Sequence, residues 1–328
     1  MNYDLVIIGG GTAGCAAAYT AGKLGLKTLL IEKNIHLGGT ITSGLVVPVM
    51  KSGENQINTD FYNDFISEMH KVHGQITYQD NQGWFNPELA KIVLDKMLAD
   101  AGVDIRFNTE VLDVETCSNK IYKIEISKNI LSVNNASIHT NNTSTWSDDI
   151  LSVYIDAKYF IDATGDNNFS QKINCEFLEN NLQFQPMSLR FIMGNIDLKC
   201  FSKWLLEIDH DRNVTTVEEI DGNIHLSTAY TWDSGKQWAL APIFDDAVNN
   251  NILKDTDRNY FQVFTVAGMP DCLAFNCPRL TKNLNPNSTE DRTYALIEAR
   301  AAILRLSNFC KQYFPGFKNA YISNIADS

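Results

Sequence analysis

The chain opens with short apolar runs set between glycines and a helix-period stretch. Leu5 to Ile8 is continuously apolar, Cys15 to Leu24 is rich in alanine, and Thr28 to Ile31, after Gly25, is nearly all apolar. Short apolar runs bounded by turn residues read as strands, and the alanine-rich stretch between them reads as a helix. The order predicts a β-α-β unit from Tyr3 to Lys33. A second helix is predicted after Phe85, where Asn86 and Pro87 supply an N-cap and a first helical position. Apolar residues recur there at Leu89, Ile92, Val93, Leu94 and Met97, Gly102 stops the helix, and two strand-like runs lead to Glu115. Tyr159 to Asp166 is a further apolar strand ending in a small-residue turn. Between Ser288 and Tyr313, Ser288 with Asp291 resembles a capping box. Leu296, Ala299, Ile303, Leu306 and Cys310 follow on one helical face. Residues 314 to 317, FPGF, end that helix, and Tyr321 to Ala326 is strand-like again.

The glycines at the first strand's end carry the chemistry. Gly9, Gly11 and Gly14 occupy G-x-G-x-x-G positions between a strand and a helix, with Gly10, Thr12 and Ala13 interleaved. The first glycine permits a tight turn, the second lets a pyrophosphate approach the backbone, and the third lets helix pack close on strand. The helix N-terminus then offers unpaired N–H groups and a positive dipole end to an anion. Glu32, next to Lys33 at the end of the second strand, stands where a dinucleotide-binding unit keeps the carboxylate for a ribose hydroxyl. An acid there opposes a 2′-phosphorylated nucleotide. The unit alone does not separate a nicotinamide from a flavin cofactor, since both carry the same adenosine diphosphate half.

Two later segments bear on that choice. LGGTITSGL, Leu37 to Leu45, holds the pair Gly38-Gly39 followed by Thr40, and YFIDATGD, Tyr159 to Asp166, holds Ala163-Thr164-Gly165. With these segments the sequence resembles the FAD-dependent oxidoreductases of the glutathione-reductase-like, two-dinucleotide-fold class, distantly related to fumarate reductase flavoproteins. The resemblance implies that the glycine pair and the Ala-Thr-Gly turn lie against FAD. It also implies a backbone contact to adenine near Val111. The expected fold is α/β: a Rossmann-like FAD-binding domain, with central parallel sheet and β-meander, and an inserted, mainly β substrate domain. The FAD domain is placed at 1–175, with a polar, helical insertion at about 51–83 around Asp60 to Met69. The substrate domain is placed at 176–285, on aromatic and β-branched runs at Leu189 to Met193, His225 to Trp232 and Tyr260 to Val266. Residues 286–328 are expected to return to the FAD domain. Ser132 to Asp149, rich in Asn, Ser and Thr, reads as an exposed hairpin loop. Members of the class continue past this point into an arginine-containing segment and a glycine-rich loop, so the chain is expected to be C-terminally truncated.

Composition narrows the partners. With 328 residues, 44% hydrophobic and 20% charged, the chain suits a globular protein with a sizeable core. A net charge of −12 without a basic cluster opposes nucleic acid or an anionic membrane as partner. The expected partner is a small-molecule substrate. The first strand begins by residue 4 and no apolar run is long enough to span a bilayer, so a cytoplasmic location is expected. Seven cysteines at irregular spacing fit reduced thiols.

The expected chemistry is hydride transfer between a substrate carbon and flavin. Arg190 and Arg279 are candidates to clamp a substrate carboxylate, against the commoner role of an exposed strand arginine. His36 precedes the glycine pair and reads first as a loop histidine. His70 and His73 form an H-x-x-H pair that a helix would put on roughly one face, but without further ligands no metal is assigned. Cys272 and Cys277 give a C-x4-C spacing too sparse for zinc, and Ser43 lacks a nucleophile-elbow context. Cys15 would gain acidity from the helix dipole, or pack as a small buried residue. Two other readings stand beside the oxidoreductase: a non-catalytic nucleotide-binding fragment, and a relative of the tRNA-modifying flavoproteins, whose first β-α-β unit is similar.

Overall fold

A computed structural model describes residues 2–50, 59–118, 120–128, 151–177, 184–229 and 238–327. The predicted hairpin loop at 132–149 and the end of the run at 225–232 lie outside the described residues. The chain begins with β1 (Asn2–Ile8), α1 (Thr12–Lys23) and β2 (Thr28–Ile31), then α2 (Thr59–Lys71), β3 (Gln75–Tyr78) and β4 (Asn81–Phe85). Next come α3 (Pro87–Asp100), β5 (Asp104–Arg106), β6 (Val111–Cys117), β7 (Lys120–Lys128), β8 (Leu151–Asp162) and α4 (Asn168–Lys172). β9 (Phe191–Gly194), α5 (Leu198–Ile208), β10 (Thr215–Ile220), β11 (Asn223–Ala229) and α6 (Ala241–Asn249) follow. The last elements are β12 (Gln262–Val266), β13 (Met269–Phe275), α7 (Thr289–Tyr313) and β14 (Tyr321–Ile325).

Two compact units result, one of Met1–Gly39 with Lys91–Leu178, the other of Thr40–Ala90 with Glu179–Ser328. The first is built on a sheet of order β5-β2-β1-β8-β7-β6. β5, β2, β1 and β8 run parallel, and β8, β7 and β6 form an antiparallel meander. Asp156 is the change-over point of β8, aligned with Asn2 of β1 on one side and Lys123 of β7 on the other. Thr28, Leu29, Leu30 and Ile31 are all buried, as a strand covered on both faces requires. Each such buried Leu or Ile contributes about 1.5–3 kcal/mol. Tyr3, Val6, Ile8, Leu29, Ile31, Ile124, Ile126, Ile155 and Phe169 form one core cluster here.

The second unit, expected to be mainly β, is mixed: α2, α5, α6 and α7 hold more residues than its strands, which form an antiparallel-paired sheet of order β10-β11-β12-β13-β9-β14 and the hairpin β3-β4. Residues 286–328, expected to return to the FAD domain, fall in this second unit, where β14 lies antiparallel to β9, with Ile325 opposite Phe191. Of the insertion expected at about 51–83, the described part is α2 and most of the β3-β4 hairpin, and it belongs to this second unit.

The helix ends follow the predicted chemistry. Asn86 Oδ1 accepts the N–H groups of Glu88 and Leu89, capping α3. Ala90, Val93, Leu94, Met97 and Leu98 are its buried positions, whereas Ile92, expected among them, is 63% exposed. At α7, Ser288 Oγ accepts the Asp291 N–H, but the Asp291 carboxylate turns to the Asn285 N–H, so the box is not reciprocal. The buried face of α7 includes Ala299, Ile303, Leu306 and Cys310 as expected, with Ala295, Ala302 and Phe309 added.

Candidate functional site

The loop from Gly9 to Gly14 is shaped by its missing side chains. Gly9 has φ +100° and donates its N–H to Ile31 O at 2.8 Å. A Cβ on Gly9 would meet Ala163 O at 2.4 Å, and one on Gly14 would meet Gly9 O at 1.8 Å. These two glycines are therefore packing requirements, the second being the close helix–strand approach expected from sequence. Gly11 differs: a Cβ there would meet nothing within 4 Å. Gly11 is also the N-cap of α1, no side chain caps that helix, and no acid occupies its first turn. An uncapped N-terminus beside open space is an anion-binding geometry.

Glu32 is 6% exposed and reaches back to this loop. Its Oε2 accepts the Gly10 N–H at 2.6 Å, and its Oε1 accepts the backbone and side-chain N–H groups of Asn34, both at 2.8 Å. Both lone pairs of Oε1 are thereby taken, and Oε2 retains capacity for one more donor. Gly38 donates to Gly10 O at 2.8 Å and pairs with Gly11 in a parallel bridge. A Cβ on Gly39 would stand 3.0 Å from Gly11 Cα, so the glycine pair lies against the first loop. Lys33 is exposed on the other side of Glu32 in the chain.

The Ala-Thr-Gly turn comes to the same place from β8. Ala163 donates its N–H to Ile8 O at 2.8 Å, and Gly165 has φ +80° with open space around its Cβ direction. The turn is tied by Asp162, which sequence reasoning passed over. Its Oδ1 accepts the Thr164 N–H at 3.0 Å and hydroxyl at 2.7 Å; its Oδ2 accepts those of Ser170 at 2.8 and 2.6 Å. Burial pushes the Asp162 carboxyl up, but the hydrogen bonds from Ser170 and Thr164 outweigh it and hold the group below the usual carboxylate range. A strand-terminal Asp followed by Thr at the second position and Ser at the eighth is the signal that would have found it.

A family model described as FAD dependent oxidoreductase matches residues 4–328. The chain belongs to that family. FAD is the cofactor of the FAD dependent oxidoreductases. Thiamine thiazole synthase of Sulfolobus acidocaldarius is 28% identical over 171 residues, half of this chain and 57% of the relative. Digeranylgeranylglycerophospholipid reductase of Methanococcus vannielii is 34% identical over 71 residues, 22% of this chain and 18% of the relative. Among solved structures, the geranylgeranyl bacteriochlorophyll reductase-like protein of Thermoplasma acidophilum gives a TM-score of 0.53 at 17% identity, covering 99% of this chain and 65% of that one. At that identity the likeness is one of fold, and the fold is the Rossmann-like one expected. The chain thus spans 57% of the first relative and 65% of the solved neighbour.

The other candidates of this family member fall in several places. Val111 opens β6 opposite Ile126, half-buried, with its side chain packed against the core cluster. Thr40 is exposed and its carbonyl accepts the Val46 N–H. Cys15 is fully buried and donates to Gly10 O at 3.2 Å; burial pushes its thiol up to about 12. Acidification by the dipole is overturned there, and the packing role holds. Asp95, which acts electrostatically on Cys15, has its carboxyl pushed up by burial while His36 pulls it down, and its Oδ1 lacks a hydrogen-bond partner. His73 lies past the end of α2 in a left-handed turn at φ +55°, so His70 and His73 do not share a helix face. Among the described residues no group of three His, Cys, Asp or Glu side chains could hold a metal ion. Ser43 is buried, its carbonyl bonded to the Asp327 N–H. Cys272 and Cys277 are buried thiols pushed up to about 12 by burial, and all seven cysteines are unbridged. No helix among the described residues is long and apolar enough to cross a membrane.

Arg190 and Arg279, separate candidates in sequence, both act electrostatically on Tyr260 in the second unit. The Arg279 guanidinium carbon lies 5.7 Å from the Tyr260 ring centroid. Burial pushes the Tyr260 hydroxyl up, and the positive charges of Arg190 and Arg279 pull it down.

Proposed function

We propose that this chain is a flavin-dependent oxidoreductase of the glutathione-reductase-like class, holding FAD on its first unit and passing a hydride between flavin and a small organic substrate. One observation carries the reading: Gly11 caps α1 with no side chain, beside space that a Cβ would not fill, while Glu32 fixes the neighbouring Gly10. This cradle fits a pyrophosphate, and the residues present fit the rest of an adenosine diphosphate group. In this reading the N–H groups of Gly11, Thr12, Ala13 and Gly14 hold the phosphates, and Gly9 and Gly10, whose N–H groups are taken by Ile31 O and Glu32, shape the loop around them. The remaining lone pair of Glu32 Oε2 accepts a ribose hydroxyl, Lys33 adds positive charge beside it, and Val111 offers backbone to adenine. Gly38 and Gly39, with Thr40 next in the chain, and Ala163, Thr164 and Gly165 flank the remainder of the cofactor without side-chain bulk. Asp162 is a positioning residue, fixing the Ala-Thr-Gly turn through Thr164 and Ser170.

FAD, when bound, supplies the hydride acceptor or donor, and the protein supplies orientation and a charged environment. The second unit carries the substrate, a small molecule rather than nucleic acid, in keeping with the net charge of −12. Unbridged cysteines and the lack of a membrane-crossing helix among the described residues support a cytoplasmic location. The test is anaerobic titration of the FAD-loaded chain with candidate organic donors, following the visible flavin band. Bleaching by at least one donor supports the oxidoreductase. A chain that retains FAD, whose band no donor bleaches and, once bleached by a chemical reductant, no candidate acceptor restores, is instead a nucleotide-binding protein without redox activity.

A further inference from the structure

A helix that buries one face ordinarily turns a polar face to water. α7 departs from this. Its buried positions Ala295, Ala299, Ala302, Ile303, Leu306 and Phe309 lie on one side, where Phe309 packs on Phe244 and Phe314 at ring-centroid distances of 4.5 and 5.0 Å. By helical spacing Tyr294, Ile297, Ala301 and Leu304 fall on the opposite side. Tyr294 is 47% exposed, Ile297 64% and Leu304 58%, and Ala301 is exposed between them. No other helix among the described residues exposes more than one large apolar side chain. Lys282 Nζ stands 4.3 Å from the Tyr294 ring centroid, which leaves the rest of the stripe uncovered.

Successive members of the stripe are three, four and three residues apart, the heptad pattern by which one helix seats another. With 25 residues, α7 is long enough to carry such a seam, at about 37 Å. Its own ends select the partner. Glu290 stands in the first turn and Lys311 in the last, both exposed and both flanking the stripe. A second α7 laid antiparallel brings Glu290 of one copy toward Lys311 of the other at both ends of the contact, with the helix dipoles opposed. Parallel alignment would set Glu290 on Glu290 and Lys311 on Lys311. With a two-fold axis beside Ala299 and Arg300, the antiparallel pair also puts Tyr294 of one copy opposite Leu304 of the other and Ile297 opposite Ala301, large against smaller. Arg300 flanks the stripe near that axis, at a rim where salt screens it from its counterpart. Such a contact uses the same patch on both copies and closes at two.

We propose that the exposed stripe of α7 seats a second copy of this chain, the two α7 helices packing antiparallel in a two-fold dimer. The test is sedimentation equilibrium of the full chain at micromolar concentration in about 0.15 M salt. The native chain sediments at twice the monomer mass. Ile297→Glu and Leu304→Glu each put a charge into the apolar seam and weaken the dimer about tenfold or more. Both positions are exposed, so the circular dichroism of the variants stays native. Ile92→Glu, at a similarly exposed apolar position on α3, leaves the dimer intact. Orientation is read by disulfide cross-linking. In an equimolar mixture of Ile297→Cys and Ala301→Cys chains, position 297 of one joins position 301 of the other, identified by peptide mass spectrometry, faster than either variant joins itself. A native chain that sediments as a monomer overturns the proposal, whatever else α7 binds. So does a dimer unaffected by both glutamate substitutions, or one in which each cysteine variant links best to itself.

Discussion

The Glu32 carboxylate accepts the Gly10 N–H at 2.6 Å, so the acid expected to face a ribose is also the strut that fixes the glycine loop. Glu32→Ala leaves that buried N–H unsatisfied and should lower stability by about 1–3 kcal/mol. Glu32→Gln keeps an acceptor in place and should keep most of the stability while weakening FAD retention. Urea denaturation midpoints and flavin content of both variants check this; equal flavin content in Glu32→Gln and the native chain would remove Glu32 from the cofactor site.

Gly14 and Gly11 separate packing from binding. Gly14→Ala sets a Cβ 1.8 Å from Gly9 O and should lower stability by about 1–3 kcal/mol or more. Gly11→Ala meets nothing and has an ordinary φ of −68°, so its stability should stay within about 0.5 kcal/mol. Flavin retention should nevertheless fall, because the new methyl group occupies the space assigned to the pyrophosphate. Thermal melts beside flavin spectra distinguish the two, and a Gly11→Ala chain retaining FAD fully contradicts the assignment.

Asp162 should make stability depend on acid. Its folded-state pKa is depressed, so its contribution is present above the unfolded value of about 3.9 and is lost as pH falls through the lower folded value. The melting-temperature gap between the native chain and Asp162→Asn should be widest above about pH 5 and narrow as pH falls below the unfolded value of about 3.9. A gap that widens on acidification would reverse the assignment.

Thiol reactivity should divide by burial. Cys117, Cys175 and Cys200 are exposed; Cys15, Cys272, Cys277 and Cys310 are buried with thiols pushed up by that burial. Iodoacetamide on the folded chain, read by peptide mass spectrometry, should label the first three and spare the other four. Rapid labelling of Cys15 would show that the glycine loop opens in solution.

The first unit was legible because its signals are local. Strand, glycines, helix and acid lie within Tyr3 to Lys33, and each pairing partner of Gly9 and Gly14 falls in a motif already marked. Asp162 was not, since its role appears only when Ser170 folds back over the turn. The shared action of Arg190 and Arg279 on Tyr260 was out of reach for the same reason at longer range, three strand-flanking segments being brought together by the second sheet. β14 joined that sheet through β9, a pairing across more than a hundred residues for which no apolar run encodes the partner. Ile92 fitted a helical face by spacing but stands exposed, because Ala90, Val93, Leu94, Met97 and Leu98 already complete the buried side of α3.

The most direct measurement is the visible spectrum of the freshly purified chain, before and after adding FAD and removing the excess. A retained flavin band near one FAD per chain is expected, lost in Gly11→Ala while its melt is unchanged. A chain with native circular dichroism that stays colourless after FAD is added contradicts it.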